Sequence, residues 1–266
     1  MSVIYRILNE TIGVALNKIL TVPITTREDA DYVVAEIEND TCRISRSITR
    51  RDVQCFLKED NPISKNALLG ILDLFKIRDR RIVDEHTDCH GNEKFYKPLL
   101  PSQYLPPSFI SELLDGKEPA EWEVDYINST FSNNHRVYCI YEKDGFFSLV
   151  VLDLTSKSIF LIDPRLQSGN NYTESSKLML ENILIHLKRI QNHLEYDFAT
   201  WVVDSKTPFF TYYNDPIPQA ASGIFDVLCA LYFLVVDVPV YFNRDQLGIL
   251  RNNFAYWLLL DKELPL

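Results

Sequence analysis

The sequence predicts an α+β domain, and three observations carry that expectation. Apolar residues recur at helical spacing in the N-terminal part, and a dense block of β-branched and aromatic residues fills the middle. Helical and extended patterns then alternate, and helices close the chain. At 266 residues there is room for one large domain, or for a domain with a short extension. A hydrophobic content of 46% against 24% charged residues supports a buried core.

Taken in order, residues 3–20 carry Val3, Ile4, Ile7, Leu8, Ile12, Leu16 and Leu20 along one helical stripe. The segment TVPITTREDADY (21–32) interrupts it, and VVAEI (33–37) reads as a short strand. ISKNALLGILDLFKIRDR (63–80) is a second amphipathic helix. Prolines recur from 98 to 120, which predicts loop with one short helix. RVYCIYE (136–142), FFSLVVLDL (146–154) and SIFLID (158–163) are strands, the last two joined as a hairpin through TSK. A long helix covers 171–194, with Leu180, Ile183, Leu184 and Leu187 on its apolar face, and FATWVVD (198–204) is a further strand. An apolar helix follows Asp226, and RDQLGILRNNFAYWLLL (244–260) forms the last one.

The charge balance excludes some classes of function. A net charge of −10 argues against a general nucleic-acid binder, and RISRSITRRD (43–52) is the one local basic stripe. Five cysteines without a CxxC pair or regular spacing read as reduced thiols of an intracellular protein. The N-terminal segment lacks the features of a secretory signal, and the apolar run 227–236 is too short to span a bilayer. The expectation is a soluble, non-secreted protein with no membrane segment.

Several residues invite a chemical reading, each beside a plainer one. Asp226, at the mouth of an apolar helix, suits an N-terminal cap, because its carboxylate can accept from the orphan N–H groups there. Cys229, one turn further on among Leu228, Ala230 and Leu231, reads as a core thiol rather than a nucleophile. EHTDCHGNE offers His86, Cys89 and His90 but no fourth ligand at zinc spacing, so it reads as a polar loop, and no cofactor or metal is expected. Asp163 and Asp226 could face each other as a cation or acid–base pair, yet nothing else in the sequence completes such a site. Asp163 reads as a strand-end residue beside Pro164, bonded to local backbone. The run FFTYYN (209–214) contains Phe209, Phe210, Tyr212 and Tyr213, a set of rings suited to contact with a partner protein.

The order of segments resembles the SUMO-specific cysteine proteases, which process ubiquitin-like proteins. ITRRDVQCFLKEDNPISKNALLGILDLF resembles that family's opening phrase, in which I-T-x-x-D-L-x-x-L runs into W-L-N-D and a helix. GFFSLVVLDLTSKSIFLIDP resembles its hairpin, x-H-W-x-L-x-x-I-D-L-x-x-K-x-I-x-x-x-D-S. PQAASGIFDVLCAL resembles P-Q-Q-x-N-G-x-D-C-G-x-x-x-C, and ILRNNFAYWLLL its closing helix. Together these phrases span residues 44–262. The resemblance implies a papain-like fold of the SUMO-protease type, a central mixed sheet flanked by helices.

It also implies roles by position. The family needs a thiolate at a helix start, an imidazole base, a carboxylate that orients the base, and an amide in the oxyanion hole. The carboxylate falls on Asp163 and the amide on Gln219, whereas the imidazole falls on Phe146 and the nucleophile on Asp226. Of two Trp residues that roof the channel for the modifier's Gly-Gly tail, the first falls on Asn61 and the second on Phe147. The Asp of W-L-N-D falls on Ser64.

The expectation is therefore a catalytically inactive relative, with a helical extension over 1–35 and a pseudoprotease domain over 36–266. It would act as a protein-binding or scaffolding subunit of a larger complex, with Ile4, Ile7 and Leu8 of the N-terminal helix available for docking. The resemblance implies a nuclear or nucleocytoplasmic setting and chromatin-associated or SUMO-pathway partners. Alternative readings are a pseudoenzyme reader of a ubiquitin-like modifier, an active cysteine hydrolase with a rearranged triad, and a nucleic-acid-associated protein using Arg43, Arg46, Arg50 and Arg51.

Overall fold

Two sheets of unequal size organise the chain in the computed structural model, which describes residues 26–39, 44–57, 61–74, 77, 103–105, 108–118, 121–132, 136–165, 172–192, 194, 196–204, 222–223 and 244–260. The smaller sheet pairs β1 (Val33–Asn39) antiparallel with β2 (Ile44–Thr49), after a short helix α1 (Arg27–Asp31). The larger runs β3 (Gln103–Leu105), β4 (Arg136–Lys143), β5 (Phe146–Asp153), β6 (Ser158–Ile162) and β7 (Val202–Val203), in that order. Its outer pairs are parallel and its central pairs antiparallel, so the sheet is mixed, as expected.

The central strands follow from their residues. β5 and β6 are buried almost throughout, as their β-branched and aromatic content requires. Asp144-Gly145, with φ of 54° and 75°, makes the two-residue turn between β4 and β5, where left-handed backbone matches strand twist. The expected hairpin between β5 and β6 is present, its turn held by Asp153 Oδ1, which accepts from the backbone N–H groups of Thr155 and Ser156. Among the described residues, β7 pairs with β6 at Ser158 and Ile159. Beyond that point the Tyr172 hydroxyl both accepts from Leu161 N (2.9 Å) and donates to Leu161 O (3.1 Å), so a side chain completes the edge that the short strand leaves.

Helices cover both sheets. α2 (Arg50–Leu57) and a helix over 65–74, α3, follow the small sheet. α4 (Ser108–Leu114) and α5 (Glu121–Ser132) lead into β4, α6 (Glu174–Ile190) links β6 to β7, and α7 (Arg244–Leu260) packs on α2 and β1. α6 starts at Thr173, whose hydroxyl accepts from Ser176 N, and ends with Lys188 and Arg189 near its negative pole. It buries Leu180, Ile183, Leu184, Leu187 and Ile190, each contributing roughly 1.5–3 kcal/mol. Gly70 of α3 lies where a Cβ would meet Ile48 Cδ1 and Leu258 Cδ2 at 2.8 Å, so the helix, the small sheet and α7 close on a bare backbone.

Several expectations change. The span 98–120 holds strand β3 as well as the expected short helix, now α4. β2, α1, α2 and α5 were not foreseen. β2 was hidden by its one arginine, since Arg46 is held by Asp73 and Asn66 and a polar residue breaks the apolar alternation. The strand expected over 198–204 shrinks to Val202–Val203, because Phe198 and Trp201 are both buried in a cluster with Phe131 and Tyr196. A turn closed by Trp201 N on Phe198 O brings both rings inward, which an extended chain cannot do for residues three apart. β1 spans residues 35 and 36, and Ala30 before it is buried. The helix expected over 3–20 and the one after Asp226 lie outside the described residues.

Candidate functional site

The end of one hairpin assembles the first part of the site. Leu149 of β5 pairs with Ile162 of β6, so Asp163, the next residue, leaves the sheet near the end where β5 begins at Phe146. Pro164 and a turn then bring Arg165 back over both. Asp163 is only 2% exposed, and its carboxylate is fully engaged on one side. Oδ1 accepts from the backbone N (2.9 Å) and Nε (2.8 Å) of Arg165, and Oδ2 accepts from Nη2 at 2.6 Å. The Arg165 Cζ also lies 5.1 Å from the centre of the half-buried Phe146 ring. A two-pronged ion pair is thus stacked on an aromatic face, a geometry that only the planar guanidinium provides.

The expected backbone bond at Asp163 is present, and the guanidinium is what sequence reasoning missed. Its signal was Asp-Pro-Arg, opposite charges two residues apart across a proline turn. Chemically the arrangement holds a carboxylate in place but moves no proton through its partners. A phenyl ring has no site for one, and guanidinium keeps its own at any physiological pH. A groove of about 430 Å³ opens alongside, lined by Tyr141, Lys143, Asp144, Ser148 and the first turn of α6. Its two cations, Lys143 and Arg165, are matched by Asp144 and Asp163. Burial and the nearby Asp144 push the Tyr141 phenol upward, against Arg165.

The second part lies where β5 meets residues 222 and 223. Phe147 is buried, and its backbone N donates to Ser222 Oγ at 3.1 Å. Residues 222 and 223 are helical, and a Cβ on Gly223 would come within 3.2 Å of Phe147 Cδ2 and Leu68 Cδ2. A side chain at Gly223 would therefore be tight against the Phe147 ring and Leu68.

A polar network holds the third part. Thr49 and Asp52 form a reciprocal cap on α2, with Thr49 Oγ1 accepting from Asp52 N and Asp52 Oδ2 accepting from Thr49 N. Ser64 caps α3 by accepting from Ala67 N, and its hydroxyl donates to Asp52 Oδ1. Asn66 donates to Asp52 Oδ2 and accepts from Arg46. Burial pushes the Asp52 carboxyl up, but the bonds from Ser64, Thr49 and Asn66 outweigh it and hold it below the usual range. Ser64 thus works as a cap in the place to which the resemblance assigns an acid.

Asn61 is exposed, and its carbonyl accepts from Arg251 Nη2 at 2.8 Å. Arg251 is 3% exposed and also donates to the carbonyls of Cys55 and Phe56, orphan groups at the end of α2.

The cysteines at 55 and 139 are buried free thiols. Burial pushes Cys55 up to about 11 and drives Cys139 higher still, so both stay protonated at neutral pH. In the basic stripe Arg46 pairs with Asp73 and Arg51 with Asp31, which neutralises charge that a nucleic acid would need. No group of three His, Cys, Asp or Glu positioned for a metal occurs among the described residues, and no described helix is long and apolar enough to cross a membrane. Gln219, Asp226, Cys229, His86, Cys89, His90, Phe209, Phe210, Tyr212, Tyr213, Ile4, Ile7 and Leu8 lie outside the described residues.

A mixed sheet with helices before and after it is the arrangement that the resemblance to the SUMO-specific proteases implies. Comparison with solved structures bears this out for the fold. The SUMO protease Ulp1 with its catalytic cysteine oxidised to a sulfonic acid superposes with a TM-score of 0.60, at 14% identity over 95% of this chain and 96% of that one. The C-terminal Ulp1 protease domain in complex with the yeast ortholog of SUMO gives 0.59, at 14% identity over 95% and 96%. The catalytic domain of the Ulp1-like SUMO protease of Chaetomium thermophilum gives 0.58, at 16% identity over 97% and 89%. No family model and no curated protein matches the sequence.

Proposed function

We propose that this protein is a catalytically inactive member of the SUMO-protease fold, working as a protein-binding or scaffolding subunit of a larger nuclear complex. The observation that carries the reading is the Asp163–Arg165–Phe146 stack. The resemblance assigns Asp163 to orient an imidazole, but its carboxylate is occupied by a guanidinium lying on a phenyl ring. Asp226 in the nucleophile's place and the high pKa of the described thiols support the same conclusion. Protein partners fit the net charge of −10 and the pairing of the basic stripe better than nucleic acid does.

The first test is a ubiquitin-like modifier carrying an electrophilic group at its tail, with an active SUMO protease as control. No adduct should form on this protein. Labelling of any cysteine would establish a rearranged active site instead. The second is affinity capture of the tagged protein from its own cells, beside a version lacking residues 1–25, which leaves β1 intact. A stoichiometric partner set from nuclear extract, lost on the deletion, supports the scaffold.

A second reading is favoured by the solved complex of the related fold with the yeast ortholog of SUMO. On it, the protein binds a ubiquitin-like modifier through its outer surface without cutting it. Capture of modifiers or their conjugates, unaffected by the deletion, is the outcome that selects this reading.

A further inference from the structure

We draw no further inference here: the strongest candidate, the groove between the β4–β5 turn and the first turn of α6, belongs to the site already described, balances Lys143 and Arg165 against Asp144 and Asp163, and joins Arg165 to Thr173 through residues 166–171 outside the described residues, so nothing on its lining selects a ligand.

Discussion

Arg165 decides what Asp163 can do. A carboxylate that is 2% exposed and bonded through Nε, Nη2 and a backbone N–H is a structural anion. Replacing Arg165 with Ala removes the fork while leaving the backbone bond. Because the arginine side chain is 40% exposed, solvent softens the loss, and we expect a cost of about 1–3 kcal/mol, read as a lower urea midpoint. An unchanged midpoint would mean that the pair only decorates the surface. Asp52 supplies a pH signature. Its folded pKa lies below the unfolded value near 3.8, so its contribution is present above that pH and lost as pH falls through the folded value. Urea midpoints measured at pH 6 and pH 3 should drop further for the native protein than for Asp52→Asn, which has no carboxylate left to protonate.

Contacts between elements set the next scale. Arg251 reaches from α7 to three carbonyls at the end of α2 and the following loop. Arg251→Met keeps the packing volume but strands those acceptors, so a loss of about 3 kcal/mol is expected from equilibrium denaturation. Gly70→Ala brings a methyl within 2.8 Å of Ile48 and Leu258, both fully buried. Overpacking of this kind costs about 1–3 kcal/mol, only partly offset by the better helix propensity of alanine. Ser64→Ala removes both a helix cap and a donor to Asp52, and thermal melting should show a loss of about 1–2 kcal/mol.

At the scale of the whole molecule, the fold of a protease is held together by interactions that do not depend on catalysis. The mixed sheet, the α6 face and the α2–α7 packing are all present, and of the residues at the places that the resemblance assigns to base and tail channel, Phe146 is half-buried, Phe147 buried and Asn61 exposed. Phe147 is buried beside Gly223, and Asn61 contributes its carbonyl to Arg251. If the protein reads a ubiquitin-like modifier, a modifier without its Gly-Gly tail should therefore bind as tightly as the intact one in a titration. A large loss of affinity on tail removal would mean that the channel still works.

Local pattern determined the middle and the end of this chain. The β5–β6 hairpin was legible in its dense run of β-branched and aromatic residues, and the α6 stripe in a side-chain periodicity of about 3.6 residues, which reports directly which face is buried. Asp163 at a strand end, and the ring at 146 where the resemblance expects an imidazole, could also be read from the residues alone. What only the tertiary structure decided is which distant groups meet. Arg165 closing on Asp163 needed the turn at Pro164, Arg251 found α2 across most of the chain, and Arg46 hid a strand by turning its charge toward Asp73. A polar residue looks alike in sequence whether it faces water or a buried partner. Only the fold, by removing water from one of those two environments, tells them apart.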